Sequence, residues 1–291
     1  MIAPSGAVDE ERLQAGIKVI EGWGLRVQVG SAVLSRQGYL AGSDEARLAD
    51  LERMIDDTRV RAVFCARGGY GSQRLLPALH LERLARAPKP LIGYSDATAL
   101  LNAAVATGVS AVHGPMVADD IARKLSRRSE AHLWSLLTDP SWLWEAETPV
   151  MVRPGRARGR LVGGCLAVLV AMLGTPYAPD TDGHILFLED VAERPYRLDR
   201  LLTQLRQSGK LDRVAGLVFG TMAACPPIDG VGPLDVIRAC CGDLACPVSF
   251  GLAAGHDPNG AGCENLALPL GVEVELDADG GRLRALEPAV V

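Results

Sequence analysis

The first half of the chain alternates short apolar runs with stretches of helical period, and this pattern restricts the fold more than any other feature. Residues 9–23 read as a helix, with Leu13, Ile17 and Ile20 recurring at three- and four-residue steps. A strand is expected at 26–29. Ser43 is placed to cap a second helix running through Met54, with Leu48, Leu51 and Ile55 on one face. The apolar Ala62-Val63-Phe64-Cys65 then reads as a buried strand that ends in the glycine-rich Arg67-Gly68-Gly69-Tyr70-Gly71-Ser72. Further strands are expected at 90–93 and 110–112, separated by a helix over 96–106. Strands separated by helices imply a mainly parallel sheet covered on both faces, with ligands at the carboxyl ends of its strands.

The second half is richer in strands. Residues 185–188 and 214–219 read as strands around a helix at 196–207, whose Leu198, Leu201, Leu202 and Leu205 share a side. Residues 272–276 and 282–286 alternate as half-exposed strands joined by Asp279-Gly280-Gly281. The expected fold class is therefore α/β. A Rossmann- or flavodoxin-like N-terminal domain over 1–138 precedes a linker at 139–158, where Asp139-Pro140, Thr148-Pro149 and Arg153-Pro154-Gly155 cluster. A smaller, strand-rich α/β domain over 159–291 follows.

Composition removes several classes of function. The formal charge of −5 gives no basic footprint for nucleic acid, and no run of 18 apolar residues exists to form a membrane-spanning helix. Seven cysteines, an odd number without a Cys-x-x-Cys pair, make a poor disulfide framework or metal site, so small buried apolar side chains are the favoured reading. Together with an N-terminus lacking a basic and apolar leader, this points to a cytoplasmic protein.

Three strand ends carry reactive side chains. In Gly93-Tyr94-Ser95-Asp96-Ala97 a serine sits between a buried strand and a helix start, the setting of a nucleophile elbow, although the motif lacks its final glycine. Taken alone, Ser95 reads better as a helix cap. Glu189-Asp190 follows the apolar Ile185-Leu186-Phe187-Leu188, and a carboxylate there needs a partner. For Asp190 an ion pair with Arg194 or Arg197 is expected. His256 lies in the glycine-flanked loop beginning at Gly255, while His113 and His184, which border strands, are weaker candidates for a base. The order Ser95, Glu189, His256 supplies a nucleophile, an orienting acid and a base.

Beyond these residues, several motifs agree in order. Gly68-Gly69-Tyr70-Gly71-Ser72, Ile92-Gly93-Tyr94-Ser95-Asp96-Ala97, His113-Gly114-Pro115-Met116, Gly163-Gly164, Leu186-Phe187-Leu188-Glu189-Asp190 and Pro195-Tyr196-Arg197-Leu198-Asp199-Arg200 resemble the LD-carboxypeptidases, or murein tetrapeptide carboxypeptidases. The likeness runs from Ala3-Pro4-Ser5-Gly6 to Leu270-Gly271. It implies a serine peptidase with Ser95 as nucleophile, Glu189 as orienting acid and His256 as general base. The oxyanion hole it implies uses the backbone amides of Asp96, Gly68 and Gly69. The substrate it implies is a murein tetrapeptide, cut between meso-diaminopimelate and D-alanine during peptidoglycan recycling, by a homodimer needing no metal or organic cofactor.

Arg67 is a candidate partner for the substrate's terminal carboxylate. Two departures stand out: Cys165 follows the Gly163-Gly164 pair where the family carries Asn, and the histidine loop, from Asp257 to Cys263, is longer. The related microcin C immunity peptidases are an alternative, for which Trp142 or Trp144 would stack on adenine, although packing is the blander role for both. A non-catalytic binder of cell-wall peptides is the alternative outside catalysis.

Overall fold

The computed structural model describes residues 1–257 and 262–290. The chain divides into two compact units, Met1–Leu133 with Asn259–Leu268, and Trp134–Pro258 with Pro269–Val291.

The first unit is built as the alternation of the sequence requires. Helix α1 (Glu10–Gly22) starts where the Asp9 carboxylate accepts the Arg12 N–H, and it buries Leu13, Ile17 and Ile20. Helix α2 (Asp44–Asp56) starts where Ser43 Oγ accepts the Ala46 N–H. Strand β1 (Val63–Phe64), helix α3 (Leu81–Arg86), strand β2 (Leu91–Gly93), helix α4 (Thr98–Ala106) and strand β3 (Ala111–His113) follow, and β1, β2 and β3 are parallel neighbours. Helix α5 (Arg127–Thr138) comes next.

The strand expected at 26–29 does not form. Arg26, Gln28 and Val29 are exposed, so the alternating Val27 and Val29 are not covered as a core strand would be. The amino-terminal residues lie beside β1 instead: Ile2 bridges Cys65 in parallel, donates to Phe64 O at 3.0 Å and accepts from Ala66 N at 2.7 Å.

The second unit has the larger sheet. Strands β4 (Glu145–Glu147), β5 (Val150–Arg153) and β6 (Arg156–Cys165) lead into helix α6 (Leu166–Ala171), strand β7 (Ile185–Val191), helix α7 (Pro195–Gln207) and strand β8 (Gly216–Ala223). Helix α8 (Pro233–Cys241) and strand β9 (Val248–Phe250) follow. Strand β10 (Leu268–Leu270) joins the first sheet beside β3, and β11 (Glu273–Asp277) and β12 (Arg282–Ala285) complete the second. Its order is β4-β12-β11-β6-β7-β8-β9-β5, with β6 to β9 parallel and the outer strands antiparallel. The two units are of similar length, because the returning segment adds two strands to the second. The expected size difference is therefore absent.

The stretch 139–158, expected as a linker, carries β4, β5 and the start of β6. Its prolines explain the misreading. Pro149 separates β4 from β5 and Pro154 separates β5 from β6, so residues that resemble linker punctuation only end short antiparallel strands. Trp144, at 1% exposure, is buried next to β4.

Strand β7 positions the carboxylates. Ile185, Leu186, Phe187 and Leu188 are all buried, as in a parallel strand covered on both faces. Gly163 in β6 has a φ of 124°, and a side chain there would collide with the Phe187 carbonyl. A glycine is required for these two strands to approach.

Candidate active site

In the first unit, Ser95 opens a short 3-10 turn (Ser95–Ala97) at the carboxyl end of β2 and has a φ of 58°. This left-handed conformation is costly for a non-glycine residue and tends to occur at functional sites. The cap expectation does not hold. Helix α4 begins at Thr98, its preceding residue is Ala97, and no side chain caps it. The tight turn turns the serine out of the helix start, leaving it half-buried between Tyr94 and Asp96, both buried.

The glycine-rich loop lies against this serine. A Cβ added to Gly68 would stand 2.8 Å from both Cβ and Oγ of Ser95, so the backbone approaches as closely as an absent side chain permits. Gly69 has a φ of 108°. Gly6 N donates to Gly68 O at 3.0 Å. Arg67 is half-buried, and its Nη1 donates to Ala7 O at 2.9 Å.

In the second unit, Glu189 ends the apolar run of β7 with a fully buried side chain. Its Oε2 accepts from His256 Nδ1 at 2.7 Å and from the His256 backbone N–H at 3.1 Å. Toward an ionised carboxylate, which only accepts, Nδ1 acts as the donor. The ring is 17% exposed at its side chain.

The approach to the histidine depends on Gly255, whose φ is 112° and whose added Cβ would lie 2.6 Å from Glu189 Oε2 and 2.7 Å from Thr221 Oγ1. Thr221 holds the far side of the loop by donating its hydroxyl to the His256 carbonyl at 2.8 Å. Thr221 was not legible as a site residue. It lies 35 positions away in β8, with nothing in its spacing to relate it to the histidine.

Asp190 does not form the expected ion pair. It accepts from the backbone N–H groups of Ala167 at 2.9 Å and Val191 at 2.8 Å, and Arg197 pairs with Glu193 at 2.9 Å instead. The register of β7 against β8 shifts between Leu188 and Asp190, and the Asp190 carboxylate meets the start of α6 at Ala167. Burial pushes its carboxyl up to about 6. Cys165 is buried near both carboxylates, and burial holds its thiol well above the usual range.

His113, a weaker candidate base, is fully buried, and its ring lies tilted against Tyr94 with the ring centres 5.6 Å apart. Residues 258–261 of the longer histidine loop lie outside the described residues. Among the described residues, no group of three or more His, Cys, Asp or Glu is placed to hold a metal, and no helix is long and apolar enough to cross a membrane.

The first unit thus holds a serine in a strained strand-to-helix turn with a backbone loop pressed against it, and the second holds an imidazole bonded to a carboxylate, each a residue type that acyl-transfer chemistry uses. Models of the LD-carboxypeptidase N-terminal domain and LD-carboxypeptidase C-terminal domain match residues 1–114 and 158–276, and the chain belongs to this carboxypeptidase family of serine peptidases. A carboxypeptidase-family protein of Streptomyces coelicolor is 46% identical over all of this chain and 93% of its own length. The murein tetrapeptide carboxypeptidase of Pseudomonas aeruginosa is 38% identical, over 98% of this chain and 94% of its own. The solved muramoyltetrapeptide carboxypeptidase of Oxalobacter formigenes superposes with a TM-score of 0.87 at 32% identity, covering 97% of this chain and 96% of that one.

Proposed function

We propose that this carboxypeptidase removes the terminal D-alanine from meso-diaminopimelate in murein tetrapeptides, as a cytoplasmic homodimer serving peptidoglycan recycling. The observation that carries the reading is the buried Glu189 carboxylate 2.7 Å from His256 Nδ1, the contact by which an acid orients a catalytic imidazole. The similarity to the Pseudomonas murein tetrapeptide carboxypeptidase supports the substrate class.

In this reading, His256 Nε2 takes the proton of Ser95 as Oγ attacks the carbonyl carbon joining diaminopimelate to D-alanine. Backbone N–H groups of Asp96, Gly68 and Gly69 hold the oxyanion of the tetrahedral intermediate. Its collapse breaks the C–N bond, and His256 gives its proton to the departing amine. Water then attacks the acyl-enzyme, losing a proton to His256, which returns it to Ser95 as the free carboxylic product leaves. Arg67, half-buried next to the glycine loop, is the proposed partner of the terminal carboxylate.

Incubation with L-Ala-γ-D-Glu-meso-diaminopimelyl-D-Ala, with detection of free D-alanine, tests the proposal. Release by the wild type and its abolition in Ser95→Ala are expected. Undiminished release by Ser95→Ala would refute the assigned nucleophile.

A further inference from the structure

A single buried carboxylate oxygen gathers the first unit's loops around the nucleophile. Asp96 Oδ2 accepts from Ser5 Oγ at 2.5 Å and from the backbone N–H of Ser72 at 2.7 Å. The Ser72 hydroxyl donates in turn to the Asp96 carbonyl. Ser5 and Ser72 are fully buried and Asp96 is 4% exposed, so these bonds are shielded from water. They join segments 91 and 24 residues apart in sequence.

The consequence falls on the glycine loop. Its far end, Gly71-Ser72, is held directly by Asp96. Its near end is held through the neighbouring segment: Ser5 is bonded to Asp96, and the next residue, Gly6, donates its N–H to Gly68 O at 3.0 Å. In a trans peptide the C=O and the following N–H point in opposite directions. Fixing Gly68 O therefore fixes the direction of the Gly69 N–H. Gly69 has a φ of 108°, a conformation that glycine adopts at no steric cost, so no side chain at that position helps to hold the peptide and the Gly68 O bond is what restrains it. The same Asp96 supplies its own backbone N–H to the proposed oxyanion hole.

We infer that the Asp96 side chain is a positioning residue for the oxyanion hole, clamping both ends of the glycine loop so that the Gly68–Gly69 peptide presents its N–H to the developing charge. This rests on the proposed serine mechanism. It predicts a defect specific to the transition state, because the clamp orients donors without touching the ground-state peptide.

The test compares Asp96→Ala, Asp96→Asn and Ser5→Ala with wild type and Ser95→Ala, by D-alanine release, by inhibition with a peptidyl boronic acid that forms a tetrahedral adduct on the serine, and by thermal melting. Loss of an oriented oxyanion donor typically costs about 10²–10³ in turnover. Asp96→Ala is expected to lose about 10² in kcat and a similar factor in boronate affinity, with KM within about threefold of wild type. Asp96→Asn can place a carbonyl oxygen at the Oδ2 position, and most of the activity is expected to return. If Asp96→Ala does not fold, Ser5→Ala decides. It removes one hydrogen bond to a charged group, and about a tenfold fall in kcat and in boronate affinity is expected. Wild-type kcat in folded Asp96→Ala or in Ser5→Ala, or a loss confined to KM, overturns the inference if Ser95→Ala is inactive. An active Ser95→Ala overturns the underlying mechanism instead.

Discussion

Substitution of Glu189 by Gln removes a charge while keeping nearly the same volume in a fully buried position. In the proposed mechanism His256 becomes an imidazolium in the transition state, with its Nδ1 2.7 Å from Glu189 Oε2. With the charge centres about 4 Å apart and an effective dielectric of about 20, the attraction is about 4 kcal/mol. At 1.36 kcal/mol per decade, losing it slows turnover about 10³-fold. A Gln carbonyl at the Oε2 position can still accept from Nδ1 and from the His256 backbone, so this figure describes loss of charge alone. The opposite amide orientation places an NH₂ against Nδ1 and selects the wrong tautomer. In a Ser-His-Asp triad the corresponding acid-to-amide change costs about 10⁴. The expected outcome is thus a fall in kcat of about 10³ to 10⁴, with KM little changed, measured as steady-state D-alanine release by oxidase coupling. A folded variant with kcat within about tenfold of wild type would refute the claim that Glu189 supports a charged His256.

Two further substitutions examine what surrounds the pair. Gly255→Ala places a methyl group 2.6 Å from Glu189 Oε2 and 2.7 Å from Thr221 Oγ1 at a φ of 112°, a backbone strain of about 1–3 kcal/mol. Turnover is expected to fall at least about 10²-fold and the melting temperature to drop; a melt and kcat matching wild type would show that the loop does not need this glycine. Asp190, with its carboxyl raised from 3.8 to about 6 by burial, holds a proton more tightly folded than unfolded. Its ionisation therefore lowers stability as pH rises from about 4 to about 6, and that loss is complete above the folded value. Relative to Asp190→Asn, wild type should gain up to about 3 kcal/mol between pH 7 and pH 4 in urea denaturation, and a pH-independent difference would contradict this assignment.

Much of the first unit was legible because its helices declare themselves locally. Asp9 and Ser43 cap the helices they precede, and the apolar runs ending at Cys65 and Gly93 form or adjoin parallel strands. The linker reading failed because proline and glycine mark strand ends and flexible joints alike, and only hydrogen-bonded partners distinguish the two. The strand reading at 26–29 failed for the converse reason: local composition cannot say which segment will lie beside β1.

By itself the sequence determined the alternating α/β character of the chain, the glycines beside each strand end discussed, and the presence there of the serine, glutamate and histidine to which the proposed mechanism assigns acyl transfer. These are properties of residue type, local period and turn chemistry, which the chain carries before it folds. Tertiary structure decided the rest. It brought His256 to Glu189 across 67 positions, turned Asp190 onto backbone amides instead of arginines, and put Ser5 and Ser72 on one oxygen of Asp96. The physical reason is common to all three. A buried polar group must find a partner wherever packing provides one, and packing joins segments whose separation in sequence carries no record of the contact.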